Sequence, residues 1–441
     1  MKIRFYNARV LTMEKDRPVF SGELWVENDR IAYVGKAEKA GQKRERGCAE
    51  ESWDLELDCE ENLLMPGFKN AHTHSAMTFL RSYADDVPLQ QWLEEKVFPM
   101  EAKLSGEDIY HLTRLAVLEY LTSGITSIFD MYLNPDAVAE ACVNMGMRCV
   151  LTSGLNNFTS SIEQQEEEYL KWNSGDPLIR YQLGFHSEYT CSRELLQQVA
   201  ELAHKYQAPV YTHLAETKKE VEGCRTRYGM TPAVFLNQLG IFDYGGGAYH
   251  CVHMSTADME VFERAGMYVV TNPASNLKLA SGIAPVAEFL DRGIPVAIGT
   301  DGPASNNCLD MFREMFLVSG LSKVREGDAA SLDAQDVLRM ATVEGAHAMR
   351  LEDADVLAEG KLADMILIDL HQPNMQPVHN IPKNLVYSGS KANVRMTMIN
   401  GRILYRDGKF YPGGDNSGNF AEDIYAKCEG IVKRILYASQ I

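Results

Sequence analysis

"MPGFKNAHTHSAM", residues 65–77, closes an apolar run with Pro66-Gly67 and then sets two histidines one residue apart, His72 and His74. Side chains at i and i+2 of an extended chain point the same way. The stretch reads as the end of a strand that aims two imidazoles at one spot. It belongs to the run "LLMPGFKNAH" (63–72), and seven further short, β-rich apolar runs follow it: 125–131, 147–154, 179–186, 208–214, 247–253, 267–272 and 294–301. Helical patterns lie between most of them. "EDIYHLTRLAVLEYLTSG" (107–124) is the clearest, with Gly124 at its end, and "SRELLQQVAELAHKYQ" (192–207) is another. Strand runs alternating with helices, about eight times, predict an α/β fold: a parallel (β/α)8 TIM-type barrel.

The ends of the chain have a different texture. "IRFYNARVLTM" and "GELWVENDRIAYVG" read as strands joined through a hairpin turn at Asn28-Asp29. Strand texture returns in "ADMILIDL" (363–370) and in "VRMTMINGRILYRDGKFY" (394–411), with a turn at Asn400-Gly401. We expect residues 1–62 and 350–420 to pair into a small β-sandwich beside a barrel of residues 63–349, with a C-terminal helix over 421–441. Residues 36–56 are charged and aperiodic, and read either as an exposed loop or as a short surface helix.

Composition excludes several classes. The 441-residue chain carries a formal charge of −18, which repels phosphate backbones and argues against a nucleic-acid partner. No run reaches the roughly 18 apolar residues of a membrane span. The nine cysteines are odd in number and form no CxxC pair, which fits a reducing compartment. The expectation is a cytoplasmic protein without a membrane partner.

In such barrels, chemistry sits at the C-terminal ends of the strands. Run one ends in His72 and His74, run four in His186, and run five in His213 with Glu216 just beyond; run six carries His250 and run eight ends in Asp301. Each of these residues alone is an ordinary polar strand end, but together they converge on one rim. Three imidazoles and a carboxylate (His72, His74, His213 and Asp301) suit one divalent ion per subunit, zinc first, with Fe2+ or Mn2+ also compatible. Glu216 then stands free to move protons, and His250 to orient the attacking water. Asp130, ending run two, either joins the site or caps a loop. Trp92 and Phe98 either wall the pocket or pack within a helix. His253 more simply packs.

The ordered set "PGFKNAHTH", "HLAET", "HCVH" and "TDG", extended by "NPASNLKLASGIAPV" (272–286), "GTDGPASNN" (299–307) and "GKLADMILID" (360–369), resembles the amidohydrolase superfamily. The longer strings are similar to its branch of 5-methylthioadenosine/S-adenosylhomocysteine deaminases. The resemblance implies a metal-dependent hydrolytic deaminase of an amino-purine nucleoside or related N-heterocycle, releasing ammonia. It implies His72, His74, His213 and Asp301 as metal ligands, and Glu216, His250 and Asp301 as catalytic groups. It implies Glu101, His186 and Glu216 as substrate contacts, with Glu101 on ribose hydroxyls; the alternative for Glu101 is a solvated acid opening a helix. A small heterocyclic amine is the expected partner, and a homodimer or homotetramer the expected assembly. Run four offers no lysine to bridge two ions, which points to one metal and to deamination.

The chain departs from that branch in two places. Ser153 and the segment after it stand where arginines are expected, and no arginine occurs between Arg148 and Arg180. Glu188 stands where proline is usual. Ser153 is taken as a substrate contact in the arginine's place. A triazine-type chlorohydrolase or amidohydrolase, a guanine- or cytosine-like free-base deaminase, and an inactive binding protein remain as alternatives.

Overall fold

The computed structural model describes residues 1–37, 52–411 and 420–437. All eight predicted runs form strands of one parallel sheet: Phe68–Thr73, Ile125–Met131, Arg148–Thr152, Ile179–Ser187, Val210–Leu214, Gly246–His250, Tyr268–Thr271 and Val296–Ile298. They are called the first to eighth barrel strands below. The eighth returns to the first through a side-chain clasp. Asn70 Oδ1 accepts from the Thr300 amide at 2.8 Å, Asn70 Nδ2 donates to Thr300 Oγ1 at 2.7 Å, and the Asp301 amide donates to the His72 carbonyl at 3.0 Å. The clasp that closes the barrel thus also brings Asp301 to His72.

The helices between the strands start where the sequence supplies caps. Ser105 and Ser255 open Gly106–Thr122 and Thr256–Ala265 with capping boxes, while Thr217 caps Lys218–Tyr228. Inside the barrel, Ala71, Phe129, Val150, Tyr211, Tyr249, Val270 and Ala297 form an apolar layer of their own, closed by Ala348 and Met349. That layer is the floor on which the polar rim rests.

The first predicted run divides between two sheets. Leu63–Pro66 pairs antiparallel with Met365–Ile368 and parallel with Lys2–Val10, while Phe68–Thr73 begins the barrel. The switch falls at Gly67, where a Cβ would stand 2.1 Å from Thr126 Cγ2, so no side chain fits. The apolar texture runs unbroken across the switch, and so the sequence reads as one strand.

The two ends of the chain join in one nine-stranded mixed sheet. Both expected hairpins are present, Phe20–Glu27 with Arg30–Gly35 and Val394–Ile399 with Arg402–Arg406. Leu24 and Ile31 from one end of the strand order share a buried cluster with Met396 and Met398 from the other. The sheet therefore curls over its own core, so the expected two-layer packing comes from a single sheet. Leu55–Asp58 adds a strand parallel to Lys2–Val10, where a loop or helix was expected; the acids beside Leu55 and Leu57 hide the alternation. Residues 38–51 of that segment lie outside the described residues. The C-terminal helix runs over Phe420–Val432 and continues with a wider turn over Lys433–Tyr437, ion-paired through Arg434 to Asp108. Residues 438–441 lie outside the described ones. Among the described residues, no helix is long and apolar enough to cross a membrane.

Candidate metal-dependent active site

The strand ends converge as the register requires. His72 and His74 leave the first barrel strand with ring centres 4.8 Å apart, and His213 from the fifth stands 4.9 Å from His72. Asp301, just past the eighth, places Oδ1 3.5 Å from His72 Nε2 and 3.2 Å from His74 Nε2. Donor atoms of His72, His74 and Asp301 all lie within 4.8 Å of one another, and so do those of His72, His213 and His250. Tyr249 stacks beneath His72 at 3.7 Å and fixes the ring plane.

The hydrogen bonds decide which nitrogen each imidazole presents. A carbonyl oxygen can only accept, so the ring nitrogen facing one carries the proton. His74 Nδ1 donates to the Met131 carbonyl, and His213 Nδ1 to the His186 carbonyl at 2.7 Å. Nε2 of each therefore faces the centre. His72 is fully buried and neither ring nitrogen has a hydrogen-bond partner. A buried imidazole without partners is costly unless something accepts its lone pair.

Electrostatics point the same way. Burial pushes the His72 pKa down to about 3 and holds His213 well below the usual range, so both are neutral. Burial is the largest influence on His74 and opposes its charge, but the hydrogen bond and charge attraction to Asp301, with the Met131 carbonyl and Asp130, together raise it to about 9. Asp301 is held well below the carboxylate range because His72 and His74 outweigh its burial. An ionised carboxylate, a proton shared with His74 and two neutral imidazoles are what a divalent cation would meet and displace. The donor set therefore fits such an ion.

Asp301 and His250 both have left-handed backbones, at φ 58° and φ 71°. For residues with a Cβ, that conformation costs about 1–3 kcal/mol. The partners repay it. Asp301 Oδ2 accepts from Ser275 Oγ at 2.6 Å and Ser305 Oγ at 2.8 Å, and Oδ1 from the Gly302 amide at 2.8 Å. His250 Nδ1 bonds Asn276 Oδ1 at 2.8 Å. Gly299 lets the eighth strand approach, since a Cβ there would lie 2.7 Å from that of His72.

Glu216 is 7% exposed, and burial raises its pKa. Oε1 accepts from Ser281 Oγ at 3.2 Å, and Oε2 lies 4.0 Å from His250 Nε2. Its backbone is clamped by Glu220, whose carboxylate accepts from the Ala215 amide at 2.6 Å and the Glu216 amide at 2.8 Å. A second buried acid, Glu314, accepts from the Ala274 amide at 3.1 Å and Asn306 Nδ2 at 2.8 Å. It ties the "NPASN" segment to the loop after Asp301.

Above this floor lies a cavity of about 500 Å³. His74, His186, His213, Glu216, His250 and Asp301 line its base, and Trp92, Phe98 and Glu101 its wall. Size and lining suit a small ring compound.

A sequence model of the amidohydrolase family matches residues 63–404. The chain belongs to this family. A 5-methylthioadenosine/S-adenosylhomocysteine deaminase of Desulfitobacterium hafniense is 42% identical over 408 residues, covering 91% of this chain and 92% of its own. A zinc-bound adenosine deaminase of Xanthomonas campestris superposes with TM-score 0.90 at 30% identity, over 98% of each chain. A zinc-complexed atrazine chlorohydrolase of Arthrobacter aurescens shares the fold at TM-score 0.85 and 23% identity, over 98% of this chain and 100% of that one.

In this amidohydrolase, seven of the nine candidate positions, His74, Glu101, His186, His213, Glu216, His250 and Asp301, line one cavity, and His72 packs against His74 and His213 without reaching its wall. Ser153 does not join them. It is buried beside the Tyr181 hydroxyl, and the neighbouring Gly154 reaches the cavity instead. Both lie just past the end of the Arg148–Thr152 strand, where the chain turns Ser153 inward against Tyr181. Of the open readings, Asp130 is a cap: Oδ2 accepts from the Ser75 amide at 2.9 Å and holds the turn after His74. His253 packs, with Nε2 2.7 Å from the Ser281 carbonyl. Glu188 is 1% exposed and paired with Arg227 Nη2 at 2.6 Å, which explains how an acid is tolerated there. Ser275, Asn276, Ser281, Ser305, Glu220 and Glu314 carry no role in the sequence reading, although several lie inside strings that bear the family resemblance.

Proposed function

We propose that this amidohydrolase deaminates the adenine ring of an adenosine-type nucleoside, with one divalent ion, zinc, held by His72, His74, His213 and Asp301. The observation that carries the reading is His72, buried with both nitrogens unpartnered among three further donors. The names of the relatives support the nucleoside. When bound, the ion would supply Lewis-acid activation of the attacking water at neutral pH.

Glu216 is the proton carrier. Burial favours its protonated form, so it can give a proton to the ring nitrogen next to the carbon bearing the amine. Its Ser281 contact holds the carboxyl in place while it does so. His250, fixed through Nδ1 by Asn276, keeps Nε2 free to orient the incoming water, and Asp301 accepts the water's proton. Glu216, now a carboxylate, takes the hydroxyl proton of the adduct, Asp301 passes the proton it holds to the exocyclic nitrogen, the C–N bond breaks, and ammonia leaves with the oxo ring behind and both carboxyl groups restored. Glu101, half-buried at the wall, is the acceptor for ribose hydroxyls, and His186 is the lateral contact to the ring.

The test is ammonia release by zinc-loaded protein from 5′-methylthioadenosine, adenosine, guanine, cytosine and an aminotriazine. The reading predicts turnover of the adenine nucleosides above the rest. Turnover confined to free bases or triazines would contradict it.

A further inference from the structure

The two ends of the cavity differ in exposure and charge. The base end is enclosed, with Asp301 4% and Glu216 7% exposed. The other end opens between Phe98, 44% exposed, and Phe158, 89% exposed. Leu89, Leu93 and Leu133 line the space with them. No lysine or arginine is among the described residues that line the cavity, whereas Glu101, Glu216 and Asp301 are. Bases of nearby segments are engaged elsewhere. Arg227 holds Glu188, Lys278 holds Asp85 at 2.5 Å, and Arg81 holds Glu119 at 2.6 Å. Lys96 lies on the segment that covers the cavity but not on its wall.

A nucleoside with its ring over Glu216 and its ribose at Glu101 would carry its 5′ substituent toward this mouth. An alkyl thioether there meets aromatic and aliphatic side chains. A zwitterionic amino-acid tail would bring a carboxylate past Glu101, with no lysine or arginine among the described lining residues to pair it and the imidazoles gathered at the enclosed end. Beside exposed aromatic side chains a carboxylate gives up part of its water and gains no cationic partner, whereas an alkyl chain gains apolar contact.

We infer that this site selects adenine nucleosides whose 5′ substituent is uncharged and apolar, and discriminates against those ending in an amino-acid group. The inference rests on the deaminase reading above and narrows its substrate class. Phe98 and Phe158 are the specificity-determining residues at the mouth.

The experiment compares kcat/KM, by ammonia release from zinc-loaded protein, for 5′-methylthioadenosine, 5′-butylthioadenosine and S-adenosylhomocysteine. The butyl compound matches the length of the homocysteine chain without its charges. The two alkyl thioethers are expected within about threefold of each other, and the amino-acid compound roughly 10–100-fold lower. Equal turnover of all three would overturn the inference and leave the deaminase reading standing. A butyl compound as poor as the amino-acid one would overturn it too, since length and not charge would then decide. Silence on all three would remove the deaminase reading itself. Phe158→Arg, at an exposed position, is expected to narrow the ratio at least fivefold by offering a cation, and an unchanged ratio would count against the assignment.

Discussion

The floor and the mouth of the cavity are built by opposite means. On the floor, His74, His213, His250 and Asp301 each accept or donate a hydrogen bond that fixes one orientation, and Asp301 alone takes three. At the mouth, Phe98 and Phe158 are exposed, and their side chains have nothing to bond. The floor stores backbone strain at His250 and Asp301 and repays it with partners. The difference separates chemistry from selection: substitutions below should remove turnover, and those above should redistribute it among substrates.

The largest expected effect is at the base. His72→Ala should lose the metal and all measurable turnover, with metal content by elemental analysis falling from one ion per chain toward none. Retained stoichiometric metal with full activity would break the comparison. Glu216→Gln should keep the metal and lower kcat by roughly 10²–10⁴-fold, the usual worth of a positioned proton carrier. Asn276→Ala frees the His250 ring and should cost roughly 10–100-fold in kcat, with Asn276→Asp recovering part of it.

Glu314 tests the scaffold beneath the floor through pH. Burial raises its folded pKa to about 8, above the ordinary 4.5 of an unfolded chain. Its folded form therefore binds the proton more tightly, and that stability is full below about pH 4.5 and lost as pH rises through about 8. Thermal unfolding of Glu314→Gln should show a shallower decline of Tm from pH 5 to 8 than the native protein. Parallel curves would mean that the carboxylate stays charged. The smallest effect belongs to the mouth: Phe98→Ala should raise KM for 5′-methylthioadenosine a few-fold and leave kcat alone.

The same contrast explains what could be read beforehand. The barrel was legible because each buried strand is a continuous apolar run that ends in a polar residue, and the run ends named the site. Gly67 was not, because a change of sheet leaves hydrophobicity untouched. Leu55–Asp58 was masked by its acids. Ser153 lies just past its strand and packs on Tyr181 while Gly154 lines the cavity, a local difference that composition does not register. The residues that hold Asp301, His250 and Glu216, namely Ser275, Asn276, Ser281 and Ser305, are the small polar types of any turn, and only the fold aims them. The left-handed backbones of His250 and Asp301 leave no mark in the sequence either. Glu220 and Glu314 read as ordinary helix acids until burial shows them clamping backbone amides.

Anomalous diffraction from zinc-soaked crystals tests the central claim most directly. The account predicts one ion at about 2.0–2.2 Å from nitrogens of His72, His74 and His213 and from an Asp301 oxygen, with Glu216 and His250 beside it and not bound to it. An ion seated instead on His72, His213 and His250, with Asp301 free, would contradict it.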